Sequence, residues 1–162
     1  HVMGVCGGYQ MLGRTIADPE GLEGAPGEVP GLGHLDVATV MKPEKNLALT
    51  QATYRATGGL VEGYEIHLGE TTGPDCARAW LDIGGTPEGA SSADGRIRGC
   101  YLHGLFASDG FRKSFLEELG ARSDLFFTDN VDKTLDALAQ HLETHFAIDQ
   151  LLGLAEPVKV DA

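Results

Sequence analysis

No stretch of the sequence approaches the run of about 20 apolar residues that a membrane-crossing helix requires, and nothing in it reads as a secretory signal. Basic residues are scarce. Twelve Lys and Arg face twenty-four Asp and Glu, a formal charge of −12 that repels phosphate backbones and anionic lipid surfaces. Neither nucleic acid nor a membrane is an expected partner. Cysteine is also sparse: Cys6, Cys76 and Cys100 are odd in number and widely spaced, which excludes a disulfide framework and fits a reducing cytoplasm, the expected location. Internal repeats and low-complexity tracts are absent, one glycine-rich stretch apart.

Present instead is the composition of a folded domain, 42% hydrophobic and 22% charged, over 162 residues, a length that suits one compact unit. The first residue is His, and HVMGV already reads as the inside of a strand. The expectation is therefore a piece of a longer protein, with a partial domain over residues 1–155 and a short tail over 156–162. Such a piece, expressed alone, is expected to be poorly stable and inactive, because the strand before Cys6 lacks neighbours to bury it.

VMGV (2–5) is a short apolar run of the kind that forms a buried strand, and YQMLGRTI (9–16) spaces Met11, Leu12 and Ile16 as a helix does. Residues 18–33, dense in Gly, Pro and Glu, predict a long surface loop. LDVATV, LTQATYRAT, YEIHLGE and ARAWLDI follow as β-type segments in an antiparallel or mixed excursion. RIRGCYLHGLF (96–106) predicts a strand, and SDGFRKSFLEELG a helix capped by Ser108 or Asp109 with Gly120 past its end. Val131, Leu135, Leu138, Leu142 and Phe146 recur every three or four residues after a capping candidate at Asp129 or Asn130, which predicts an amphipathic helix packed on a sheet.

GVCGGYQ (4–10) sets a cysteine between glycines where strand gives way to helix. G-x-C-x-G there has the form of a nucleophile elbow, sulfur replacing the hydroxyl oxygen. Small neighbours are needed because the nucleophile's backbone is forced into a strained conformation, a need that Gly4 and Gly8 meet and Gly7 eases further. The start of the following helix favours negative charge, so it stabilises a thiolate and an oxyanion alike, with the Gly7 N–H as oxyanion donor. On spacing alone, a small buried cysteine in a glycine-rich turn explains the motif equally well. A thiol with a pKa of about 8.5 also needs a base. His103, at the end of the strand RIRGCYL, stands where ligands gather in open α/β sheets.

GVCGGYQMLG, GLGHLDVATVMKPEK, GYEIHLGET and DGRIRGCYLHGLF followed by FRKSFLEELG, in this order, resemble the glutamine amidotransferase domain of the cobyric acid synthase family of the vitamin B12 pathway. The resemblance covers most of the chain. It implies an α/β fold of the flavodoxin-like class I glutaminase kind, a mixed, mostly parallel sheet flanked by helices. Cys6 would attack the side-chain amide of L-glutamine and His103 would serve as base and then acid. The ammonia would pass to a synthetase domain, expected N-terminal to this chain, that uses ATP and Mg2+ to amidate corrinoid carboxylates. No G-x-x-x-x-G-K-[ST] phosphate loop occurs in these residues, so no cofactor is expected to be held here. Many class I glutaminases carry a glutamate two residues past the histidine. Here Leu105 stands there, as in this branch of the family, which implies a Cys6–His103 dyad.

Glu65 is a candidate to orient the imidazole or to bind the substrate's amino group, against the alternative of a solvated strand residue; Gln10, Tyr64 and His67 are candidates to shape the glutamine pocket. The glutaminase domains of cobyrinic acid a,c-diamide synthase and of the peptidoglycan isoglutaminyl synthase would share Cys6 and His103, and a non-catalytic regulator or an unrelated cysteine hydrolase would share the elbow. No metal is expected. HLETH (141–145) sets His141 and His145 on one helical face, but Glu143 lies about 200° around from the first histidine and cannot act as the base of a bound water. Cys76, Cys100 and His34 carry no expected role, and Trp80 reads as a packing residue.

Overall fold

The structure, a computed structural model, describes residues 1–154; the tail expected over 156–162 lies outside the described residues. Where the sequence suggests one domain, the chain divides into two compact units, His1–Asp124 and a second from Leu125 onward.

The first unit opens with β1 (Val2–Val5), the tight turn at Cys6 and α1 (Gly7–Leu12). The helix is shorter than its apolar spacing suggests: Gly13 is extended (φ −70°, ψ −175°), and Ile16 belongs to β2 (Thr15–Asp18). The β-branched Thr15 and Ile16 pair there in parallel with Ala38 and Thr39. The expected surface loop over 18–33 also carries a strand, β3 (Gly27–Pro30), antiparallel to β2. Asp18 closes the turn between them, its carboxylate accepting from the Leu22 and Glu23 N–H groups at 2.8 and 2.9 Å.

β4 (Ala38–Tyr54) and β5 (Gly59–Thr72) form a long antiparallel ribbon that unites segments read separately in the sequence. Its register shifts between Met41 and Asn46, where Pro43 has no N–H to give to a ladder. Of the expected strand ARAWLDI only β6 (Leu81–Ile83) forms, because Pro74–Arg78 takes a 3-10 turn. β7 (Thr86–Glu88), β8 (Ala90–Ser91) and β9 (Ile97–Cys100) follow, then a 3-10 turn at Leu105–Ala107 and α2 (Asp109–Glu118). Gly120, at φ 75°, ends α2 as expected.

The strands form two sheets, β1-β9-β8 and β3-β2-β4-β6-β7 with β5 on β4. This is the expected mixed α/β class. Two pairings, β1 with β9 and β2 with β4, are parallel and five are antiparallel, so among the described residues the excursion outweighs the parallel part. One buried cluster joins Tyr54, Trp80, Leu102, Leu105, Phe111 and Phe115; a second joins Tyr9, Leu12, Leu35, Val37 and Tyr101. Trp80 is a packing residue, as expected, and its indole N–H donates to the Gly99 carbonyl at 2.9 Å.

In the second unit, α3 (Phe127–His145) begins earlier than the sequence suggests, with Phe126 rather than Asp129 or Asn130 at its N-cap, and α4 (Ile148–Gly153) follows. Val131, Leu135, Leu138 and Leu142 recur along α3, and the unit does not bury them. No helix among the described residues is long and apolar enough to cross a membrane.

The packing of α1 on β1 turns on Gly4. A Cβ there would stand 2.5 Å from the Gly8 carbonyl oxygen and 2.7 Å from Leu12 Cδ1. Backbone cannot yield as a side-chain tip can, so Gly4→Ala is expected to destabilise the intact protein by about 3 kcal/mol, read as a lowered midpoint in chemical denaturation.

Candidate active site

Cys6 directly follows β1, and its N–H extends the β1–β9 ladder to the Cys100 carbonyl at 2.9 Å. Among the described residues it is the one non-glycine residue with positive φ, at φ 54° and ψ −117°. A side chain in that region costs of order 1–3 kcal/mol and persists only where its surroundings over-determine it. Here the ladder fixes the strand before it, and the Tyr9 and Gln10 N–H groups fix the carbonyl after it, donating to the Cys6 oxygen at 2.9 and 3.1 Å. The N–H groups of Gly7 and Gly8, the first residues of α1, have no acceptor within the helix. The glycines around the cysteine serve different needs from those expected. Gly4 is required by packing, whereas a Cβ on Gly7 or Gly8 would meet nothing within 4 Å; what matters at Gly8 is its carbonyl, which presses on Gly4.

His103 lies beyond the end of β9, the parallel neighbour of β1, so the cysteine and the histidine follow the carboxyl ends of adjacent strands. β5 runs past both. The Cys6 thiol donates to the Ile66 carbonyl at 3.5 Å, and His103 forms a two-way backbone bridge with Tyr64, two residues away on the same strand. Two residues along a strand span roughly 7 Å. The buried Nε2 of His103 has no hydrogen-bond partner among the described residues. Leu105, where a third catalytic carboxylate would stand, is 2% exposed and belongs to the larger core cluster.

Glu65 does not reach His103. Its carboxylate meets His67 Nε2 at 3.6 Å and accepts from the Thr50 hydroxyl at 3.3 Å. That corrects its reading as an imidazole-orienting group and equally its reading as a solvated strand residue, since its side chain is 13% exposed. His67 donates from Nδ1 to the Gly69 carbonyl at 2.8 Å and stacks on Tyr101, with centroids 3.8 Å apart. Gln10 is buried, and its amide donates to the Tyr101 hydroxyl at 3.4 Å; Tyr101 in turn bonds Thr71 at 2.6 Å. Gln10 thus backs a wall formed by Tyr101 and His67.

That wall faces a cavity of about 330 Å³, lined among others by Lys42, Asn46, His67, Glu70, Glu88 and Tyr101, a volume that admits a free amino acid. Neither Cys6 nor His103 lines it. Tyr101 and Glu88 escaped the sequence analysis. Tyr101 was legible in principle, two residues before His103 on one strand, but Glu88 lies in a Pro-Glu-Gly stretch without periodicity. Its carboxylate accepts the Tyr101 backbone N–H at 2.8 Å, and burial, with the nearby Glu65 charge adding, pushes its pKa above the ordinary glutamate value. Burial likewise pushes up the Cys100 thiol, an inert packing group, as expected. No group of three or more His, Cys, Asp or Glu side chains among the described residues is placed to hold a metal ion, and His141 and His145 stand as a pair alone.

Comparison with known proteins bears on this geometry. Residues 1–111 match the CobB/CobQ-like glutamine amidotransferase domain family. The chain is 61% identical over 155 residues to cobyric acid synthase of Cereibacter sphaeroides (strain ATCC 17023), covering 95% of this chain and 32% of that protein. It is 59% identical over 160 residues to cobyric acid synthase of Ruegeria sp. (strain TM1040), covering 99% and 33%, and 54% identical over 156 residues to that of Bradyrhizobium diazoefficiens, covering 96% and 32%. The chain thus spans about a third of the length of these relatives.

A glutamate whose folded pKa is raised holds its proton more tightly in the native state than in the unfolded one, so stability falls as pH rises from the ordinary value of 4.5 through the raised one. Glu88→Gln keeps an acceptor for Tyr101 and removes the charge. The variant is expected to lose that downward slope, measured as the melting temperature of the intact protein against pH.

Proposed function

This chain belongs to the CobB/CobQ-like glutamine amidotransferase family, and we propose that it hydrolyses glutamine through Cys6 and His103 to supply ammonia for an ATP-dependent amidation. The observation that carries the reading is the strained backbone of Cys6, at the end of a strand whose parallel neighbour leads to His103.

In the reaction, the thiol leaves the Ile66 carbonyl and passes its proton to His103 Nε2, the buried nitrogen that has no hydrogen-bond partner among the described residues. The thiolate then attacks the side-chain amide carbon of glutamine. The Gly7 N–H donates a hydrogen bond to the developing oxyanion, in a place where a fixed donor is worth more than in water. The imidazolium returns its proton to the departing nitrogen, which leaves as ammonia, and a glutamyl thioester remains on Cys6. Neutral His103 then takes a proton from water, whose oxygen attacks the thioester carbon; glutamate departs and the thiol is restored.

Ammonia in neutral water is mostly ammonium, which has no lone pair with which to attack. Release next to a sheltered acceptor keeps it reactive, and this is the physical reason for joining a glutaminase to a synthetase. The names of the relatives support corrinoid carboxylates, those of adenosylcobyrinic a,c-diamide, as the acceptors. ATP and Mg2+ belong to that second reaction. The chain spans about a third of the relatives' length, and the binding of ATP and Mg2+ is proposed to lie in the part of such proteins that it does not span. The family supports a cytoplasmic enzyme.

The test is made on the intact protein with a diazoketone analogue of glutamine, which alkylates a glutaminase nucleophile. Labelling is expected at Cys6 and not at Cys76 or Cys100. Cys6→Ala is expected to lower glutamine-dependent turnover by about 10³-fold or more while amidation fed with ammonium salts persists. Labelling elsewhere, or full glutamine-dependent turnover in Cys6→Ala, overturns the assignment.

A further inference from the structure

We propose that Tyr64 is the positioning residue of the His103 imidazole, holding it by ring stacking and a backbone clamp where Leu105 stands in the place of a third catalytic carboxylate. The inference rests on the dyad reading above and adds to it the group that keeps the base in place.

Three observations converge on this pair. The rings of Tyr64 and His103 lie nearly parallel, 6° apart with centroids at 4.8 Å, so the phenol covers one face of the imidazole and opposes its rotation. The backbones exchange two hydrogen bonds, His103 N–H to the Tyr64 carbonyl at 2.8 Å and Tyr64 N–H to the His103 carbonyl at 3.2 Å, which fixes where the imidazole side chain starts. The approach is close enough to demand glycine beside it: a Cβ on Gly63 would stand 2.1 Å from the His103 carbonyl oxygen. Gly104, at φ 81°, then turns the chain sharply away.

The alternatives to Tyr64 are occupied elsewhere. Glu65 bonds His67 and Thr50, and Leu105 is sealed in the core. In a triad, a carboxylate on the far nitrogen fixes both the tautomer and the orientation of the imidazole. A stacked ring holds the plane and leaves the tautomer free. That is enough for a thiol nucleophile, whose proton is far more acidic than that of a serine hydroxyl and needs less help to leave. Tyr64 is itself 44% exposed, an exposure unusual for a ring held only for core packing.

The pair is tested in the intact protein by two independent readouts. With the histidine rings labelled with 13C, the His103 ring protons are expected upfield of exposed histidine positions, because they lie in the shielding cone of the Tyr64 ring. The shift is expected to persist in Tyr64→Phe and to vanish in Tyr64→Leu. In glutaminase assays Tyr64→Leu is expected to lower kcat by about a hundredfold with KM changed by no more than about threefold, the signature of a misplaced catalytic group, and Tyr64→Phe to recover most of that loss. An unshifted His103 resonance in the wild type, equal loss in the Phe and Leu variants, or a loss confined to KM overturns the proposal. If Tyr64→Leu does not fold, the wild-type resonance and Tyr64→Phe decide it. Failure of the dyad itself would show separately, as absent labelling of Cys6, while the ring shift needs no turnover to be read.

Discussion

The site depends on one packing contact, the start of α1 lying against Gly4 of β1. With hydrogen alone at Gly4, the Gly8 carbonyl and Leu12 come close enough that the chain must turn within a single residue, and the residue left to turn is Cys6. Its positive φ follows from that closeness. The strain is offset elsewhere, by the parallel ladder that runs into the Cys6 N–H on one side and by the helix bonds that end on the Cys6 carbonyl on the other. Local geometry at the cysteine is therefore set by neighbours that have no chemistry of their own.

β5 performs the second task, relating two residues that are distant in sequence. Ile66 holds the sulfur and Tyr64 holds the histidine, so the spacing of the two groups is tied to the rise of a single strand. This strand is fixed by its own long pairing with β4 and by the Gly63 approach to His103. A side wall of polar groups, Gln10, Thr71, Glu88 and Tyr101, is then bonded together behind the cavity. The arrangement is rigid because each member is held by at least one backbone or buried side-chain bond.

Much of this was legible in the sequence, and the failures share a physical cause. The elbow could be read because its requirements are local: glycines, a short apolar strand and a helix start lie within ten residues. His103 could be read because a strand end is visible in a single segment. The ribbon could not be read as one element, since Lys42–Lys45 interrupts its alternation and its pairing is set by a partner far along the chain. β3 was hidden for the same reason, a glycine- and proline-rich segment made into a strand by β2 beside it. Ile16 has helical spacing yet pairs as a strand because Gly13 ends the helix first. Which neighbour Glu65 turns to was not legible, because a sequence does not say where a carboxylate points, and here it meets His67 and Thr50.

Two costs coincide at the candidate site. A non-glycine residue at positive φ is worth of order 1–3 kcal/mol against folding, and a buried ring nitrogen without a partner costs a similar amount. Packing alone gives no reason for both to fall on the two residues that follow the carboxyl ends of adjacent strands. Glycine at position 6 would relieve the first, and any donor or acceptor near Nε2 would relieve the second. On the proposed reading each cost corresponds to a step in thioester chemistry: the strained turn would present a sulfur, and the buried nitrogen, without a hydrogen-bond partner among the described residues, would take its proton. A structural cysteine in a glycine-rich turn would account for the backbone, but it would leave unexplained a buried His103 Nε2 without a hydrogen-bond partner among the described residues. The proposed acyl transfer accounts for both with one arrangement.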